Sequence, residues 1–124
     1  MKIIASILIS GALLIGCSTA ELCYVDKTFD TFHDGLTAMY QKTEAGSATH
    51  EDGAALLRFW EERKKILYLW LPHTHIDQVD YQLNEALGYL YQGNHEDSLP
   101  KFELLLDMAE TIPHAYKILP ENIF

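Results

Sequence analysis

The sequence predicts an all-α protein, an antiparallel up-and-down four-helix bundle behind an N-terminal export signal. Three observations carry this. Apolar residues recur every three or four positions in four separate windows, the spacing that lines one face of a helix. No stretch of any length alternates apolar and polar residues as a half-buried strand would. A charge-free run follows Lys2 at the N-terminus.

That run, "IIASILISGALLIG", has a basic start, a short apolar core and small residues at its end, the pattern of a secretory signal. It is shorter than the roughly 20 residues that span a bilayer comfortably. "LIGC", Leu14 to Cys17, resembles the lipobox of bacterial lipoproteins, which implies acylation of Cys17 and cleavage before it. The expected organisation is a signal peptide over 1–16, a tether over 17–21 and the bundle domain over 22–124. Two alternatives stay open: cleavage after "STA", which discards Cys17, and an uncleaved helix extended through "CSTA". The expected location is extracytoplasmic, either lipid-anchored at the cell membrane, secreted, or held by the uncleaved helix. Cys23, the second of two cysteines, reads as a small apolar residue near a helix start, so neither a disulfide framework nor a cysteine-rich zinc site is indicated.

In the first bundle helix, Leu22, Val25, Phe29, Phe32, Leu36 and Met39 form one stripe. "TEAGSATHEDG" interrupts as a loop, and Thr49 with Asp52 three positions later is a variant capping box for the second helix. That helix is expected from about Glu51 to Trp70, with Leu56, Phe59, Trp60, Leu67 and Trp70 inward. Pro72 should stop it, because proline disfavours helical geometry in the preceding residue. Ile76, Val79, Leu83, Ala86, Leu87 and Leu90 mark a third helix. Gly93 supplies its left-handed end, and Asn94 can cap the next helix. In the fourth window, Leu99, Phe102, Leu105, Leu106, Ala109 and Ile112 make the stripe. Ser98 is one candidate cap there; a start at His95 would put Pro100 inside the helix. Pro113 should kink or end it.

"PHTHIDQVD", residues 72 to 80, is the one stretch that suggests a metal site. His73 and His75 are weak candidates as ligands, because two positions on a helix lie about 200° apart. Thr74 and Asp77 fit another capping box, which accounts for both without a ligand. No cofactor is indicated. Nucleophile elbows, His-Glu-x-x-His and phosphate-binding glycine loops are absent from the sequence, so the expectation is a non-enzymatic protein.

The formal charge is −9, with 18 acidic and nine basic residues, and loss of Lys2 with the leader removes one more positive charge, giving −10. Such a balance argues against binding nucleic acid or anionic lipid by charge. The basic run Arg63 to Lys65 follows Glu61 and Glu62, and pairing along a wet helix face explains it. Trp60 and Trp70 lie about 80° apart around their helix. They, with the apolar terminal pair Ile123 and Phe124, are the candidate interaction surface.

Several short features occur in order: "WEERKK", a short break, "HIDQVD" opening a helix, "IPH" late in the last helix, and terminal "ENIF". Together they resemble a family of small exported helical proteins of Gram-positive bacteria, domain of unknown function 4363, over about residues 22 to 124. The resemblance implies a membrane-attached or secreted helical domain and carries no catalytic residue or cofactor. The function expected is therefore a membrane-tethered envelope lipoprotein that binds an unknown envelope protein. The alternative is a bundle that senses a small molecule or metal ion.

Overall fold

A computed structural model describes residues 2–123, without the side chains of 17–19 and 116–123. Four helices make up the chain: α1 Lys2–Glu44, α2 His50–Leu67, α3 His73–Tyr91 and α4 His95–Ile123. No strand occurs among the described residues. α4 packs extensively on both α1 and α3, while α2 closes the ring with smaller contacts to α1 and α3. The contacts pair residues in opposing order. Phe32 meets Trp60 and Lys42 meets Asp52 between α1 and α2, and Tyr24 meets Trp70 in the turn just past α2.

The core follows the predicted stripes closely. Val25, Phe29, Phe32, Leu36 and Met39 of α1 are buried, as are all six predicted residues of α3. Each of these side chains larger than alanine contributes about 1.5–3 kcal/mol on leaving water. Trp60 sits at the centre, fully buried, its ring 5.0 Å from Phe32 and 6.3 Å from Phe29. Leu22, expected to join the stripe, is exposed, because the bundle begins only at Tyr24 and Val25.

α1 is one helix of 43 residues, which at 1.5 Å per residue is about 65 Å long. Its first half leaves the bundle: Ile3, Ile4, Ile7, Leu8, Ile9, Leu13, Leu14 and Ile15 are all exposed. The helix passes without a break through 17–21, the stretch expected as a tether.

Thr49 caps α2 as expected: its hydroxyl accepts from the Asp52 N–H at 3.1 Å, and the Asp52 carboxylate accepts from the Thr49 N–H at 3.0 Å. α2 ends at Leu67, three residues before the expected Trp70. Pro72 is the cause, since it restricts Leu71, and the N–H groups of Leu69 and Trp70 turn back onto Ile66 and Leu67. α3 corrects the second predicted capping box. Pro72 occupies the cap position at ψ 135°, and no side chain caps the helix, which begins at His73. Thr74 thus lies inside the first turn, past the position from which a hydroxyl can cap.

At the α3–α4 turn, Gly93 has φ +75°, the left-handed geometry that favours glycine. Asn94 accepts from the Asp97 N–H and donates to the Asp97 carboxylate at 2.7 Å, so α4 starts at His95. Ser98, the other candidate cap, is instead fully buried. α4 accommodates both Pro100 and Pro113 and runs to Ile123, past Pro113, the position expected to kink or end it.

Candidate functional site

Three side-chain clusters distinguish this bundle from a plain core. The first joins α2 to α3. Asp80 Oδ1 accepts from the Trp60 indole N–H at 3.2 Å and from Lys64 Nζ at 3.1 Å. Lys64 also reaches Glu61 at 2.9 Å. Burial pulls the Lys64 ammonium down, but its bonds to Glu61 and Asp80 outweigh that and hold it above the ordinary lysine value. One turn further, the Tyr68 hydroxyl donates to Asp77 at 2.7 Å, which raises the phenol pKa. Asp77 therefore serves a neighbouring helix end rather than Thr74. These groups satisfy one another, so the cluster is a clasp with no base held against a nucleophile.

The second feature is an apolar groove of about 280 Å³ between α1 and α2. Gly35 and Ala38 on one helix face Ala55 on the other, and such small side chains leave space that Leu56 and Phe59 border. The Lys42–Asp52 ion pair, at 3.0 Å, lies at the same groove. Space at Gly35 is limited: a Cβ there would lie 3.1 Å from Leu56 Cδ1.

The third is a polar groove between α1 and α4, lined by Asp26, Asp30, His33, Glu110, Pro113 and His114. His33 Nε2 lies 3.1 Å from Glu110 Oε1. Among the described residues, no group of three or more His, Cys, Asp or Glu is arranged to hold a metal ion.

The residues singled out from sequence divide sharply. Trp60 is no part of a surface: its spacing on α2 turns it inward, and it is fully buried against Phe29 and Phe32. Trp70 is half-buried, with its ring edge-on to Tyr24 at 5.4 Å. His73 packs edge-on against Tyr68, while His75 lines a groove with Leu104 and Met108 of α4. The two histidines point to different neighbours, as the 200° separation requires. The side chains of Cys17 and Ile123, and all of Phe124, lie outside the described residues.

Sequence reasoning missed three contacts. Arg63 lies over the Tyr24 ring at 5.9 Å and the Phe59 ring at 5.3 Å, both within cation–π range. Gly53 lets α2 approach α3 so closely that a Cβ would stand 2.7 Å from the Tyr91 hydroxyl and 2.9 Å from Leu87. His50 stacks on Tyr91 at 4.0 Å. Glycine inside a helical window is the one signal that could have flagged the second; the others are tertiary pairings with no local mark.

Comparison with known proteins places one family on this chain. The model described as Domain of unknown function (DUF4363) matches residues 20–123. No curated protein and no solved structure matches.

Proposed function

We propose, for a chain that belongs to the family of domain of unknown function 4363, a membrane-tethered, extracytoplasmic, non-enzymatic role. In this reading its bundle, with antiparallel up-and-down order, binds a protein partner of a Gram-positive cell envelope. The observation that carries the tether is the first half of α1. An 18-residue window of mean hydropathy 2.1 is wholly unburied by the bundle, and its large side chains are 62–76 % exposed. Apolar surface of that extent is unfavourable in water by about 25 cal/mol per Å², and a bilayer removes the penalty. The antiparallel order is supported by the opposed contact pairs of α1 and α2.

Two attachments are consistent with this role. The lipobox-like "LIGC" supports a diacylglyceryl or palmitoyl anchor on Cys17 after removal of 1–16. The unbroken helix through 17–21 supports an uncleaved anchor. Cell fractionation of the full chain and of Cys17→Ser tests both. The native chain is expected in the membrane fraction. Release of Cys17→Ser supports lipidation, and its retention with an intact leader by mass spectrometry supports the helix. Recovery of the native chain away from membranes overturns the tether.

A second reading rests on the α1–α2 groove, whose apolar lining suits a small hydrophobic molecule. Thermal shift with a panel of apolar compounds and of zinc, nickel and copper tests it. Stabilisation that disappears in Ala55→Leu, which fills the groove from its exposed side, supports ligand binding.

A further inference from the structure

We infer that the 68–72 turn is a membrane-interfacial foot, in which Leu69 and Trp70 seat in the headgroup layer of the bilayer that anchors α1, with Lys27, Arg63 and Lys65 against anionic phospholipid headgroups. The inference rests on the proposed membrane attachment and adds a second point of contact to it. Its basis is the height of the turn on α1. Trp70 meets Tyr24, and Tyr24 stands four residues beyond Ala20, the last residue of the uncharged run. Four residues of helix rise about 6 Å. The headgroup layer on each side of a hydrocarbon core of about 30 Å is of similar depth, since the whole bilayer is about 40–45 Å. The turn and the membrane boundary therefore coincide.

The composition of the turn matches that depth. Tyr68 and Trp70 are the residue types enriched at membrane interfaces. Leu69 is 75 % exposed and Ile66 is 39 % exposed, so apolar surface faces outward on the same corner. Lys27, Arg63 and Lys65 are exposed around it. Arg63 and Lys27 border one pocket with Tyr24, which ties the basic side chains to α1 at this level. The charge is lopsided. Asp26, Asp30 and Glu110 gather in the groove with α4. At the α2 corner Glu61 is paired with Lys64, Asp77 with the Tyr68 hydroxyl, and Glu62 stands exposed beside Arg63. The basic groups that meet anionic headgroups there are therefore Lys27, Arg63 and Lys65. The net negative charge of the whole chain weighs against an anionic surface, but headgroup attraction fades within a Debye length, so carboxylates remote from this corner do not enter the contact.

The test uses the full chain reconstituted into vesicles of phosphatidylcholine with about one third phosphatidylglycerol, and lipids brominated near the headgroup as quenchers. Trp60 is buried, so quenching of tryptophan fluorescence reports Trp70. It is expected in the native chain and in Trp60→Phe, and lost in Trp70→Phe. It is expected to fall about twofold in Leu69→Glu and when phosphatidylglycerol is omitted. A chain that floats with the vesicles yet is unquenched overturns the foot and leaves the anchor standing, with the turn free for a protein partner. Quenching indifferent to both Leu69→Glu and lipid charge overturns it as well, since nearness alone then explains the signal. A chain that does not float overturns the attachment and the foot together.

Discussion

The indole N–H of Trp60, at the centre of the core, donates to the Asp80 carboxylate at 3.2 Å across the α2–α3 contact. Lys64 donates to the same oxygen. A fully buried ring is thereby aligned by a carboxylate that stays partly in water, with side-chain exposure of 31 %. Asp80→Ala is expected to cost about 1–3 kcal/mol, because it strands a buried donor. Asp80→Asn keeps an acceptor and should cost less. Trp60→Ala should cost about 3–5 kcal/mol through the cavity it opens. Urea midpoints of the three variants check the order.

Helix capping offers a paired test. Thr49→Ala removes an observed cap and should cost about 1 kcal/mol. Thr74→Ala should change stability by less than about 0.5 kcal/mol, because Thr74 is exposed and caps nothing. Equal losses in the two would contradict the α3 start described above.

The same cap predicts a pH dependence. The Thr49 backbone N–H, followed by bonds from Lys42 and the Thr49 hydroxyl, holds the Asp52 carboxyl below the usual carboxylate range. A depressed folded pKa favours the ionised form in the fold. Its contribution is complete above the unfolded value of about 4 and disappears as pH falls through the lower folded value. The stability difference between native protein and Asp52→Asn should be constant near neutral pH and shrink toward about pH 2. A difference that grows on acidification would reverse the sign.

Tyr68 titrates in the other direction. The Asp77 bond, aided by burial, raises its phenol pKa. The stabilisation is present below the ordinary tyrosine value of about 10 and is lost as pH rises through the raised folded value. Ultraviolet titration should show one tyrosinate forming later in native protein than in Asp77→Ala.

Pro100 is exposed at the sixth residue of α4, where it supplies no N–H to the Glu96 carbonyl. Pro100→Ala restores that bond and should raise stability by about 1–3 kcal/mol. An unchanged or lower thermal midpoint would mean that proline geometry at this position is needed for packing on α1 and α3.

Much of this fold is legible in the sequence because its signals are local. Apolar spacing identifies the faces of all four helices, Thr49 and Asp52 mark a cap three residues apart, and Gly93 with Asn94 marks the last turn. Those features depend on backbone geometry within a few residues, which composition and spacing encode directly. The N-terminal apolar run is of the same kind.

Tertiary structure alone decided the rest. Asp77 could cap α3 or serve a distant donor, and the hydroxyl of Tyr68, nine residues away, took it. Asp80 carries no local mark of a partner, and Trp60 and Lys64, from the facing helix, reach it. The α1–α2 groove exists because small residues on two separate helices come to one level, and the turn at Trp70 lies beside Tyr24 of α1. Each outcome is set by which side chains become neighbours across helices, and spacing along one helix carries no information about its partner.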